Sequence, residues 1–241
     1  MTAPHPRIAM MLAAGRGKRM RALTETRPKP LIAVAGKPLI DHGLDALAEA
    51  RVARVVVNLW YHADMLAAHL ATRARPAIEL LRERELLETG GGVANALPRL
   101  GADAFFVVNS DVLWREAGRP ALVRLAEAWR DEAMDALLLV APRARTVGYD
   151  GRGDFDLDSQ GRLSRRPPAG VAGQVFTGLQ ILHPRLFAGA PEGAFSLNLL
   201  YDRALAAGRL YGIGHAGEWF HVGTPEGRDE AERRLGPASG V

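Results

Sequence analysis

The sequence predicts a Rossmann-like three-layer α/β/α fold with a mainly parallel central sheet, built as a single domain. Three observations carry this. Short apolar, β-branched runs alternate with segments of helical spacing as far as Val140, the pattern of successive βαβ units. The 241 residues, 48% of them hydrophobic, are enough for one large core. No internal repeat is visible, and no hexapeptide solenoid follows the α/β region.

The elements follow in order. Arg7 to Ala13 reads as a buried strand running straight into the loop Ala14-Gly15-Arg16-Gly17-Lys18-Arg19-Met20. From Pro38 to Val52, Ile40, Leu44, Leu47 and Ala48 recur at helical spacing, with Asp41 positioned as a cap. Val55 to Leu59 is then a short strand. A helix over Asp64 to Thr72, a strand over Ala77 to Leu81, a helix over Gly92 to Leu97 and a strand over Ala104 to Val108 continue the alternation. A helix over Pro120 to Arg130 and a strand over Ala136 to Val140 complete it. Pro142 to Gly173 is turn-rich, and Gln174 to Leu182 resumes as a strand. Ser196 to Ala207 reads as a helix ended by Gly208, and Pro225 to Leu235 as a terminal helix entered at Thr224.

Composition closes several routes. There is no cysteine, so disulfides, thiolate metal sites and thiol nucleophiles are excluded. The formal charge is +4 and no dense basic block stands beyond short pieces such as Arg16 to Arg21, so no nucleic-acid partner is expected. The first ten residues lack an apolar signal region, and no apolar run approaches the ~20 residues that span a bilayer. A cytoplasmic protein with no membrane partner is therefore expected. Lysine occurs only at Lys18, Lys29 and Lys37, the remainder of the 31 basic residues being arginine. A compact ammonium suits a point charge on phosphate.

The chemistry begins in the loop after the first strand. Gly15 and Gly17 free backbone N–H groups to wrap an anion, although two such glycines equally make a plain tight turn. A dinucleotide fingerprint fails because Met20 stands where its third glycine belongs, and a Walker loop fails because Arg19 follows Lys18. Lys29 sits between Pro28 and Pro30, which stiffen the backbone carrying it. Phe105 to Asp111 is a buried strand ending in a carboxylate at the edge where open α/β sheets bind ligands. Asp111 is thus the leading metal ligand, with a helix-cap or loop role as the alternative.

Together, Leu12-Ala13-Ala14-Gly15-Arg16-Gly17-Lys18-Arg19-Met20 and Pro28-Lys29-Pro30-Leu31 resemble the two-part signature of the sugar-phosphate nucleotidylyltransferase family, whose fold is GT-A-like. The resemblance implies that Leu12, Ala13, Ala14, Gly15 and Gly17 line the nucleotide while Arg19 and Lys29 neutralise its phosphates and the departing pyrophosphate. It implies that Glu88, Thr89, Gly91 and Gly92, within Leu87-Glu88-Thr89-Gly90-Gly91-Gly92, receive the base, glycine letting the base approach the main chain. That wording resembles the branch making UDP-N-acetylmuramate, which points to UTP. Asp111 is expected to bind Mg²⁺, and Asn109 to lie at the sugar phosphate.

One departure concerns the second metal position. Trp219 to Pro225 resembles a segment that commonly carries aspartate where His221 stands. Imidazole suits Mn²⁺ better than Mg²⁺, so His221 is either a metal ligand or a hydrogen-bonded histidine near the site. For the sugar phosphate, Gly153, Thr177 and Gly178 lie in segments that resemble sugar-contacting ones, and Arg166, beside Arg165, stands where relatives often place lysine. The alternating aspartates Asp154, Asp156 and Asp158 lack the glycine and glutamate of an EF-hand at Ser159 and Arg165. They read as a hairpin turning at Asp158-Ser159-Gln160-Gly161.

The expected activity is transfer of a uridylyl group from UTP to a sugar 1-phosphate, N-acetylmuramate α-1-phosphate by resemblance, with residues 7–115 holding nucleotide and 116–235 the sugar phosphate. A monomer or small homo-oligomer is expected. The rivals are a guanylyltransferase for mannose or heptose 1-phosphate and a nucleotide-sensing regulator that has lost catalysis.

Overall fold

Five consecutive apolar residues, Ile8–Leu12 (β1), form the centre of the sheet in a computed structural model that describes residues 5–236. The chain then runs β2 (Ala33–Val34), β3 (Lys37–Pro38), α1 (Leu39–Glu49), β4 (Arg54–Leu59), α2 (Ala63–Leu70), β5 (Ala77–Arg82), α3 (Glu88–Leu100) and β6 (Phe105–Asn109). It continues with β7 (Val112–Trp114), α4 (Ala121–Ala128), β8 (Ala136–Pro142), β9 (Thr146–Val147), β10 (Phe155–Leu157), β11 (Leu163–Arg165) and β12 (Gln174–Leu182). The last elements are α5 (Asn198–Ala206), β13 (Leu210–Gly214), β14 (Trp219–His221) and α6 (Pro225–Leu235).

The main sheet is mixed and mostly parallel, ordered β11-β10-β12-β6-β1-β4-β5, with β8 pairing β12 and β13. β1 is parallel to both β4 and β6, and β4 to β5. β12 runs antiparallel to β6 and β8. The pleat of β1 sends Ala9 and Met11 to one face and Met10 to the other. On the first face α1, α2 and α4 bury Leu44, Leu66 and Leu125, and on the second α3 and α5 bury Val93 and Leu200. These are the three expected layers.

A separate small sheet, β7-β14-β9, follows directly on the C-terminal end of β6. It contributes Leu113, Val147 and Phe220 to a third apolar cluster, where Met20, Ile32 and Val34 meet Ala231 of α6. This cluster anchors residues 18–36 against α6, and Glu232 accepts a hydrogen bond from the Ala35 amide at 2.9 Å.

Several expectations are corrected in detail. Asp41 does not cap α1: Pro38 occupies the cap, while the Asp41 carboxylate accepts from Arg73 and meets the His69 ring. α3 starts at Glu88 rather than Gly92, so the glycine triplet lies inside a helix and not in a loop before it. The hairpin at Asp158 is present, with the carboxylate accepting from the amides of Gln160 and Arg162. Thr224 caps α6 by accepting from the Gly227 amide.

Candidate active site

The loop beyond β1 is tied down at its root on two sides. Ser110 donates to the Leu12 carbonyl through both its amide and its hydroxyl, the latter at 2.7 Å. The Ala13 amide donates to Asn58 Oδ1 at 2.8 Å. Past that point the amides of Ala14, Gly15, Arg16 and Gly17 donate to nothing among the described residues. Successive unpaired N–H groups at the C-terminal edge of a parallel sheet form an anion-binding concavity.

Gly17 is needed twice over. Its φ is +64°, and a Cβ there would stand 2.9 Å from Lys29 Cβ. The missing side chain lets the Lys29 stem pass beneath the loop, in a 3₁₀ turn entered at Pro28. Lys29 is buried, only 8% exposed, and its Nζ donates to Asp111 Oδ2 at 2.6 Å.

Asp111 lies between β6 and β7, and β14 pairs antiparallel with β7 so that His221 stands opposite Val112. The two metal candidates are thereby neighbours across a strand pair. Burial pushes the Asp111 carboxyl up, but the Lys29 charge and hydrogen bond outweigh it and hold the group below the usual carboxylate range. Burial, with Arg19 and Lys29 adding to it, pushes the His221 imidazole down, so it is neutral at neutral pH. Its ring packs 5.8 Å from Tyr149 and 5.7 Å from Trp219.

Two adjoining cavities meet here. The larger, about 510 Å³, is lined by Leu12, Ala13, Ala14, Gly15, Gly17, Lys18, Arg19, Lys29, Asn58, Leu86, Glu88, Thr89, Asn109, Ser110, Asp111, Ser196 and Gly223 among others. The smaller, about 240 Å³, is lined by Arg19, Lys29, Asn109, Asp111, Tyr149, Asp154, Thr177, Gly178, Trp219 and His221 among others. Arg19, Lys29, Asn109 and Asp111 border both. Positive charge is thus concentrated at the junction, beside one carboxylate.

Other expected site residues sit differently. Gly91 and Gly92 do not line either cavity: a Cβ on Gly91 would fall 2.1 Å from the Gly193 carbonyl, and one on Gly92 3.0 Å from Asn58 Nδ2. Their smallness serves packing of α3 against its neighbours. The Thr177 hydroxyl turns into the core, donating to the Leu139 carbonyl at 2.8 Å, so only other atoms of Thr177 face the cavity. Gly153, with φ +78°, lies outside both cavities, and its amide donates to the Tyr149 hydroxyl. Arg166 folds onto the carbonyls of Pro167, Pro168 and Gly170 rather than into the site. Arg165 pairs with Asp202 and stacks over Phe155.

Sequence reasoning missed Asn58, Glu83 and Tyr149, whereas Asp154, part of the segment Gly153-Asp154-Phe155 that resembles a sugar-contacting one, does line the smaller cavity. Asn58 had a signal, being a polar residue near the end of the apolar run Val55 to Leu59. Glu88 adopts φ +58°, a left-handed conformation rare outside glycine, at the rim of the larger cavity.

Mg²⁺ sites in phosphate-handling enzymes commonly use one or two carboxylates and leave the remaining positions to substrate phosphates and water. Asp111 with His221 fits such a shared site. No group of three or more His, Asp or Glu side chains that could hold a metal ion is assembled among the described residues. None of the described helices is long and apolar enough to cross a membrane.

A loop of free amides, a buried lysine and a carboxylate at the sheet edge are features of phosphate-transfer chemistry, and comparison agrees. Residues 8–164 match the nucleotidyl transferase family, and the chain belongs to it. It is 43% identical over 97% of its length to N-acetylmuramate alpha-1-phosphate uridylyltransferase of Caulobacter vibrioides, covering 98% of that protein. It is 36% identical over 95% of its length to the protein of the same name from Neisseria meningitidis serogroup B, again covering 98%. The fold matches UDP-glucose pyrophosphorylase complexed with UDP-glucose at a TM-score of 0.79 and 17% identity, over 95% of this chain and 98% of that one. Nucleotidyl transferases of this family generally use a divalent metal ion.

Proposed function

We propose that this protein is a cytoplasmic uridylyltransferase that joins UTP to N-acetylmuramate α-1-phosphate, releasing pyrophosphate, in cell-wall sugar recycling. The observation that carries the choice of sugar and base is the 43% identity over nearly the whole length to the Caulobacter vibrioides uridylyltransferase. In this reading the larger cavity, built mainly from residues before 115, takes the nucleotide, and the smaller one takes the sugar phosphate.

A sugar phosphate oxygen attacks the α-phosphorus of UTP in line. The new P–O bond forms as the bond to the bridging oxygen breaks, and pyrophosphate leaves with the bridging oxygen. No covalent enzyme intermediate is needed. The free amides of Ala14 to Gly17 cradle the phosphates, while Arg19 and Lys29 offset the charge that grows on the leaving pyrophosphate. Thr89 and Glu88 border the base end, and Asn109 the sugar phosphate. Asp111 and His221 would hold a divalent ion, Mg²⁺ or, given the imidazole, Mn²⁺, whose Lewis acidity neutralises phosphate charge.

The test is pyrophosphate release from purified protein with UTP, GTP, dTTP and CTP crossed against the 1-phosphates of N-acetylmuramate, N-acetylglucosamine, glucose and mannose. Release confined to UTP with N-acetylmuramate 1-phosphate is the expected result. Release with GTP and mannose 1-phosphate would reassign the substrates. UTP binding without release would make the protein a nucleotide sensor.

A further inference from the structure

Asn58 and Glu83 lie at the ends of adjacent parallel strands, where Leu59 pairs with Arg82. Both are buried, at 2% and 8% exposure. Asn58 Nδ2 donates to Glu83 Oε1 at 2.7 Å, and the other Glu83 oxygen accepts from the Leu87 amide at 3.3 Å. The opposite end of the Asn58 amide accepts from the Ala13 N–H at 2.8 Å. A continuous chain of hydrogen bonds therefore runs from the residue before Glu88, at the base end of the larger cavity, to the root of the free-amide loop.

Burying a carboxylate in this place is unfavourable, and burial pushes the Glu83 carboxyl up. The protein nevertheless keeps it and clears space for it, since a Cβ on Gly92 would stand 3.0 Å from Asn58 Nδ2 and 3.1 Å from Glu83 Oε1. This gives the glycine at position 92 a purpose other than contact with the base.

We infer that Asn58 and Glu83 are a positioning pair for the nucleotide. Asn58 turns the Leu12–Ala13 peptide so that the amides beyond it face the triphosphate, and Glu83 fixes both Asn58 and the segment bordering the base. The inference rests on the nucleotide occupying the larger cavity.

The experiment exploits the direction of the hydrogen bonds. Asn58→Asp keeps an acceptor for the Ala13 amide but sets two acceptors against each other at Glu83. Adding Glu83→Gln restores a donor and an acceptor in exchanged places, with the oxygen of the introduced amide still free for the Leu87 N–H. UTP titration by calorimetry and the KM for the sugar phosphate are measured on the wild type, N58D, E83Q and N58D/E83Q, each checked for folding by thermal unfolding. N58D is expected to weaken UTP binding about tenfold, the worth of roughly one hydrogen bond to a buried polar group, with the KM for the sugar phosphate unchanged. The double variant, which has the same total charge as the wild type, is expected to recover most of the loss. Wild-type UTP affinity in folded N58D and E83Q would overturn the inference, as would equal losses for both substrates or a double variant no better than N58D. A wild-type protein that binds no nucleotide would instead remove the proposed function, and this inference with it.

Discussion

Lys29 and Asp111 are 82 residues apart in the chain, yet their side chains meet at 2.6 Å at the junction of the two cavities. Lys29 is placed by Pro28, Pro30 and the side-chain-free Gly17 above its stem, and Asp111 by the end of β6 and the Ser110 tether to Leu12. In the free protein the ammonium neutralises the carboxylate. Under the proposed function a triphosphate would compete for the same ammonium, leaving the Asp111 carboxylate available to hold a metal ion.

Lys29→Met tests this while keeping the buried stem. The variant is expected to fold and to lose roughly 10²–10³-fold in turnover, the usual consequence of removing one charge-stabilising group from a reaction site. Pyrophosphate release under saturating substrates measures it. Turnover within a few-fold of wild type would remove Lys29 from the mechanism.

Gly178 presents a steric prediction. Its φ is +85°, and a Cβ would stand 2.9 Å from both Asn109 Nδ2 and Val112 Cγ1. Gly178→Ala is expected to destabilise the fold by about 1–3 kcal/mol, from backbone strain and overpacking. Because Asn109 and Val112 flank Asp111, the KM for the sugar phosphate is expected to rise as well. Thermal unfolding and steady-state kinetics read the two effects separately.

The sequence made some elements plain and hid others for identifiable reasons. β12 runs Gln174–Leu182 as its β-branched and apolar residues foretell, and α6 starts where Pro225 follows Thr224. The early start of α3 was hidden because three consecutive glycines carry poor helix propensity. Packing against Phe195 and Gly193 overrides that propensity, and only the tertiary structure supplies those partners. The antiparallel direction of β12 and the pairing of β14 with β7 are likewise relations between distant segments. The loop, Lys29 and Asp111 were legible because each carries its chemistry locally. Asn58 and Glu83 were not, since their link exists only once β4 and β5 are in register. Arg166 looked available in sequence, but three backbone carbonyls of its own loop bind it.

Stability should fall on mild acidification. Burial pushes the imidazoles of His42, His183, His215 and His221 below their ordinary value. Below about pH 6.5 the unfolded chain then binds more protons than the folded one, so unfolding becomes easier as pH falls through that window. Glu83 works the other way, since an acid with a raised folded pKa favours the folded state until pH rises through that pKa. One group opposes four. Urea midpoints measured between about pH 7.5 and about pH 5.5 are expected to decrease. His215→Gln is expected to flatten the slope, because the His215 ring is buried with Nε2 against the carbonyls of Arg115 and Glu218 and Nδ1 without a partner among the described residues. A slope unchanged by that variant would assign the acid sensitivity elsewhere.

Under the proposed function His221 is the residue that would set the metal preference. Its ring is neutral, lies one residue across the strand pair from Asp111, and fits because Gly223 lacks a Cβ that would stand 2.1 Å from Nε2. A neutral nitrogen beside one carboxylate favours Mn²⁺ more than a pair of carboxylates does, whereas Mg²⁺ prefers oxygen. His221→Asp supplies the second carboxylate, and Lys29 and Arg19 are at hand to offset the added charge. The variant is expected to reach half-maximal activity at a lower Mg²⁺ concentration while its dependence on Mn²⁺ changes less. Chelation with EDTA should abolish pyrophosphate release in both proteins, with recovery on adding the metal back. If the ratio of Mg²⁺-supported to Mn²⁺-supported activity is the same in the variant as in the wild type, His221 is not a ligand. Its place beside Tyr149 and Trp219 would then be a packing role in the wall of the smaller cavity.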